Sequence, residues 1–234
     1  MLKKFCKDSE MERLIPWPPS AEEGSAPFVG VFVQHLGKAQ YHCGFFYFAP
    51  GQNPEVLHHQ LSGQLSNQVP VKQVLGVPLD VDPVRAQAIA RRVRQVAARH
   101  QNVGIKFAFS SPDQHWFSSD GFALVGEDQV GLTCSHFVLA LFGFAGLKLV
   151  HVETWPVRPE DTEWQTKMIP HIQMTWTEEG EHTALFTEQI SKEIGMKRVR
   201  PDEVGGAILA GSENLPASFE VVEPLSGEIR ARLA

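Results

Sequence analysis

Short, dense apolar runs separated by turn residues mark the early part of the chain, and runs at helical spacing take over after Asp82. FVGVFV at 28–33 is β-branched and aromatic, which predicts a strand, and Gly37 follows as a turn signal. QYHCGFFYF at 40–48 predicts a second, buried strand; APGQNPE supplies the loop residues, and VLHHQL at 56–61 resumes as a third. The last two read as a β-hairpin with a longish loop. IKFAFS at 105–110 and DGFALVG at 120–126 are further strand candidates.

Asp82 is a suitable N-cap and Pro83 suits the first helical position, where its missing N–H is not needed. Ala86, Ile89, Ala90, Val93, Val96 and Ala97 then recur at helical spacing. Arg85, Arg91, Arg92, Arg94 and Arg99 fall on the other face, which reads as a solvated basic face. In GLTCSHFVLALFGFAGLKLV at 131–150, Thr133 is the expected N-cap, so Cys134 enters the first turn of a buried helix ending near Gly146. Helices are predicted at 160–168, at 182–194 (Leu185, Phe186, Ile190, Ile194) and from Pro201 to Leu209. FEVVEPLSGEIRARL at 219–233 reads as a terminal hairpin turning at Ser226-Gly227.

These elements divide the chain into a loose lead-in at 1–27, rich in charge and then in Pro, Ser and Glu, a core at 28–150, and an extension at 151–234. At 234 residues and 43% apolar content the chain can bury one sizeable core. A formal charge of −6 argues against a general nucleic-acid binder. The longest apolar run, Phe137 to Val150, is about fourteen residues and holds Lys148, too short for the roughly 20 a membrane span needs. Charges at Lys7, Asp8, Glu10 and Glu12 interrupt the N-terminus, so no Sec-type signal peptide is read, and a cytoplasmic protein is expected.

Three cysteines, Cys6, Cys43 and Cys134, form no CxxC pair and no disulfide framework. The commonest fate of a free cysteine is as a small buried hydrophobe. Cys134 differs by its place at a helix start, where unpaired N–H groups and the helix dipole favour the thiolate. A nucleophilic thiol also needs a base, and often a third group to orient it. His42 opens the aromatic strand, and His58 and His59 lie on the strand expected to pair with it. Alternation sends those two to opposite faces, so one of them can reach His42. His42, Cys43, His58, His59 and Cys134 can also be drawn as zinc donors. Alternation turns Cys43 away from His42, however, so neither metal nor cofactor is expected. Asp113, His115, Asp120, Glu127 and Asp128 precede the Cys134 helix and fit either a cleft mouth or solvated loops.

YHCGFFYF, a loop, and VLHH resemble the His-bearing hairpin of the lecithin:retinol acyltransferase-like proteins and their bacterial relatives, the permuted NlpC-type thiol peptidases. TCSHFVLALFGFAG is similar to the family's second signature, Asn-Cys-Glu-His-Phe-Val. The order His42 before Cys134 is that of the permuted branch. The resemblance covers 28–150 and implies an α+β fold with a circularly permuted papain-like core. It implies Cys134 as nucleophile, His42 as general base and His58 as the orienting residue, with His136 packing structurally. Thr133 stands for the family's Asn and Ser135 for its Glu, closer to the bacterial peptidases than to the lipid enzymes. His42 and His58 are 16 positions apart, a longer loop than usual, which leaves His59 open as the third member.

The expected function is that of a cysteine hydrolase acting on an amide bond in a peptide or small molecule. The alternatives are a lipid or thioester acyl hydrolase or transferase, with Phe45, Phe46, Phe142 and Phe144 suited to an acyl chain, or a binding module that kept the fold without turnover.

Overall fold

The computed structural model describes residues 14–19, 26–38, 40–110, 115–124, 131–175 and 181–234, with backbone alone for 181–185. Among them run five strands, β1 (Phe28–Gly37), β2 (Gln40–Phe48), β3 (Glu55–His59), β4 (Leu65–Ser66) and β5 (Val74–Pro78). Six α-helices follow: α1 (Pro83–His100), α2 (Cys134–Phe144), α3 (Pro159–Thr175), α4 (Glu181–Lys192), α5 (Pro201–Leu209) and α6 (Phe219–Leu233). The strands form one antiparallel sheet in the order β4-β3-β2-β1-β5, so the fold is α+β.

Alternation sorts the sheet residues. Val31, Val33, Cys43, Phe45, Leu57 and Val77 face the main core, shared with Val138, Val204, Ile208 and Ile229 from the helices. Phe32, Phe46, Phe48 and Val56 face the other way and pack with Ile15, Trp17 and Phe28. Within the lead-in, Ile15 makes a two-way backbone bridge to Gly76, and Trp17 Nε1 donates to the Pro70 carbonyl at 2.6 Å. The main core therefore draws on both the 28–150 region and the C-terminal region.

Both expected caps form. Asp82 Oδ1 accepts from the Val84 and Arg85 amides at 3.0 and 2.9 Å, and Thr133 Oγ1 accepts from the His136 amide at 3.2 Å. The segment 105–110 is buried but forms no strand. Its backbone groups find separate partners: Ile105 N donates to Gly63, Leu132 N to the Lys106 carbonyl, and Phe109 N to the Glu193 carboxylate. In 120–126 the described part makes only an isolated bridge, Phe117 with Ala123, after Gly121 at φ +80°; residues 125 and 126 lie outside the described residues.

The expected hairpin at 219–233 is instead the helix α6. Its buried residues, Val222, Leu225, Ser226, Ile229 and Leu233, are spaced three and four apart, a helical period that outweighs the Ser-Gly turn signal. The glycine at 206 is small for a reason. A Cβ on Gly206 of α5 would come within 3.1 Å of the Ser226 amide, so α5 and α6 approach almost backbone to backbone. Residues 74–78, in no predicted element, form the edge strand β5. No helix among the described residues is long and apolar enough to cross a membrane.

Candidate active site

Four elements bring the site together: the N-terminus of α2, the open end of the β2/β3 hairpin, α3, and the chain before α5. Cys134 is the first residue of α2 and is half-buried at the base of a cleft of about 340 Å³. His42, His58, His59, Trp164, Met168 and Arg198 are among its lining residues. The β2/β3 ladder reaches only to the Phe45–Leu57 pair, and beyond it the strands carry His42 and His58 into the cleft.

His42 Nε2 lies 2.9 Å from His58 Nδ1, and His58 Nε2 lies 3.3 Å from the Gln68 carbonyl. A carbonyl oxygen only accepts, so His58 carries its proton on Nε2 and offers Nδ1 as an acceptor. His42 then donates from Nε2, which leaves its Nδ1 for Cys134. Burial lowers the His58 pKa to about 4, with the His42 charge adding to the effect, so His58 is neutral near pH 7. A neutral imidazole fixed at both nitrogens is suited to orienting a second one.

His59 does something else. It is fully buried, donates from Nε2 to the Ile105 carbonyl at 2.6 Å, and stacks on Phe107 at an interplanar angle of 9°. The alternation that leaves one of the two histidines for His42 gives that place to His58.

The Cys134 thiol is held well below its usual pKa, first by a hydrogen bond from the Cys43 thiol, then by the charge of His42 and a hydrogen bond with it; burial opposes. The Cys43 amide adds a further hydrogen bond to the sulfur. Cys43 moves the other way, because burial and its hydrogen bond to Cys134 keep it protonated. Of the two thiols, Cys134 is the more readily ionised and Cys43 the one kept protonated. Cys43 also reaches Ser135 Oγ in a long sulfur contact of 3.9 Å. Strand alternation turns Cys43 from His42 as expected, yet α2 packs on that face and returns the Cys43 thiol to Cys134.

His136 is buried in the core, where among the described residues neither ring nitrogen makes a hydrogen bond of normal geometry. Burial, with the Arg198 charge in support, lowers its pKa to about 4. The four phenylalanines put forward for an acyl chain do not line the cleft: Phe45, Phe46 and Phe142 are core residues, and Phe144 packs on Phe117. His115 lines a different cavity, by the C-terminal end of α2, and the Asp120 carbonyl accepts from Arg99 at 3.3 Å. Cys6, Asp113, Glu127 and Asp128 lie outside the described residues.

Several site residues carry no sequence signal read above. Gly44, two residues after His42 on β2, leaves room beside His58 that a Cβ would fill, since an ideal Cβ there sits 2.5 Å from His58 Cβ. Gly44 occupies the small position of the aromatic hairpin motif, the one hint available. Gln68 acts through its carbonyl, for which any residue type would serve. Trp164, Met168 and Arg198 come from the C-terminal region, where Arg198 sits in a basic KRVR run ahead of Pro201.

Arg198 is anchored firmly. Its Nη1 donates to Asp161 Oδ1 at 3.0 Å, and its guanidinium carbon lies 3.5 Å from the Trp164 ring centroid. Arg158 Nη2 donates to the Arg198 carbonyl at 2.8 Å, and Arg158 also pairs with Glu203 and with Asp161. Burial acts to raise the Asp161 carboxyl, but a hydrogen bond from Arg200 and the charges of Arg158, Arg198 and Arg200 hold it below its ordinary value. No known protein family, no curated protein and no solved structure matches this chain.

Proposed function

We propose that the protein is a cysteine hydrolase that cleaves an amide bond through a thioacyl-enzyme, built on a circularly permuted papain-like core. The observation that carries this reading is the convergence of a low-pKa Cys134 thiol at a helix N-terminus with the His42–His58 pair in one cleft. A buried thiol kept only for packing would have its pKa raised by burial, as Cys43 does.

In the proposed reaction the Cys134 thiolate attacks the carbonyl carbon, and the carbonyl π electrons move onto oxygen. The Cys134 amide N–H, which donates to no described residue, is the donor for that oxyanion at the start of α2. His42, protonated on Nδ1 by the thiol, returns the proton to the leaving amine as the C–N bond breaks. A water deprotonated by His42 then attacks the thioester, and the acid leaves as the thiolate re-forms. His58 touches only His42 and acts as a positioning residue.

The test is selective alkylation. Iodoacetamide is expected to label Cys134 well ahead of Cys6 and Cys43 in the folded protein, and His42→Ala to suppress that labelling. Equal labelling of all three thiols refutes the hydrolase reading. The core burial of Phe45, Phe46 and Phe142 favours an amide substrate over a long acyl chain at those residues.

A further inference from the structure

The wall of the Cys134 cleft has an unbalanced charge. No Asp or Glu is among its described lining residues, and Arg198 is its permanent cation. Behind Arg198, three guanidiniums (Arg158, Arg198 and Arg200) share the Asp161 carboxylate, and Glu203 adds one more buried anion. Glu160, the remaining partner of Arg200 at 3.3 Å, is 61% exposed, so water screens it. Three cations against two buried anions leave a positive excess; the Cys134 thiolate also acts on Arg198 but is matched by the His42 charge, so Arg198 carries that excess to the cleft.

The donors of Arg198 are not used up either. Nη1 goes to Asp161; among the described residues Nε and Nη2 donate to nothing. The side chain is only 15% exposed, so bulk water does little to satisfy those groups. Stacking on Trp164 fixes the guanidinium plane, and Arg158 fixes the backbone beneath it. A rigid, planar cation with free in-plane donors beside a nucleophile suits a carboxylate, whose two oxygens match that fork.

We propose that Arg198, held against Trp164 by Asp161, receives a carboxylate of the substrate close to the scissile carbonyl, so that the enzyme acts on amides carrying an acidic group. This rests on Cys134 being the nucleophile. Arg198 is then a specificity residue contributed by the C-terminal region, and Asp161 and Arg158 are the residues that position it.

Iodoacetate and iodoacetamide alkylate the same sulfur with loss of iodide and differ in charge, so their rate ratio at Cys134 reads the cleft's preference for a carboxylate. Arg198→Met is expected to lower the iodoacetate-to-iodoacetamide ratio about tenfold, the effect of one charge a few ångström away under partial screening. Arg198→Lys keeps a charge beside Asp161 but loses the fork and the stacking, and is expected to lower the ratio about threefold. A role confined to stabilising the thiolate would slow both reagents alike and leave the ratio unchanged, and that result overturns the proposal. If Arg198→Met does not fold, an unchanged ratio in Arg198→Lys overturns it equally. Failure of iodoacetamide to select Cys134 in the wild-type protein is a separate outcome, which removes the hydrolase reading and this inference with it.

Discussion

The His42 and His58 rings meet edge to face, with centroids 4.9 Å apart and an interplanar angle of 75°, so the Nε2–H of His42 points at the Nδ1 lone pair of His58. Gln68 settles which way the proton runs between them. A backbone carbonyl thus fixes the tautomer of a histidine two residues removed in the hydrogen-bond chain.

His58→Ala removes the acceptor that aims His42. Alkylation of Cys134 by iodoacetamide near pH 7 is expected to slow by roughly one to two orders of magnitude, the usual effect of losing orientation at a reacting centre. His58→Gln retains an acceptor and should recover part of the rate. Far-UV circular dichroism should not change, and a rate equal to wild type in His58→Ala would show that His42 orients itself.

Cys43→Ala deletes the thiol that donates to Cys134. Without that donor the pKa of Cys134 should rise. Cys43→Ser keeps a donor and should raise it less. The pH profile of Cys134 alkylation gives both values directly, and an unmoved profile in Cys43→Ala would mean that His42 and the helix start suffice.

Gly44→Ala is expected to destabilise the protein by roughly 1–3 kcal/mol, because its Cβ must displace His58 Cβ and the Phe32 ring, both 2.5 Å away. The same change should loosen the His42–His58 contact and slow alkylation. Gly143→Ala, in α2 with nothing within 4 Å of its Cβ, should instead stabilise by about 0.5–1 kcal/mol. Urea denaturation of the two variants separates collision from helix propensity.

Acid should unfold this protein early. His58, His59 and His136 each titrate at about 4 when folded, chiefly because they are buried, against 6.5 in the unfolded chain. Between those values the unfolded state binds more protons. Stability is therefore complete above pH 6.5 and is lost as pH falls through the window, approaching about 4 kcal/mol per pH unit for the three together. Glu193 and Asp202, raised by burial, take up protons first in the folded state and reduce the net slope. Urea midpoints near pH 7 and near pH 5 measure it. His136→Leu should flatten the dependence by about 1.4 kcal/mol per pH unit, and equal midpoints for the wild type at both pH values would contradict this account.

The amino-acid sequence alone determined what is local. The caps Asp82 and Thr133, the strands around His42 and His58, and the placing of Cys134 at a helix start all follow from neighbours a few residues apart, because capping and alternation are short-range effects. The α6 helix was also present as a period of three and four, but Pro224, Ser226 and Gly227 read locally as a turn, and it is packing against α5 that lets the helical period prevail. Which of His58 and His59 meets His42 was beyond local reasoning. Alternation says that they part, and only the packing of Phe107 and Ile105 around His59 decides which goes where. The same holds for Cys43, which its strand turns away from His42 and which α2 brings back to Cys134. Arg198 is the furthest case. Its place beside a thiol 64 positions earlier depends on α3 and α5 packing through Asp161, Arg158 and Glu203, a long-range balance of charge and burial that no sequence pattern encodes.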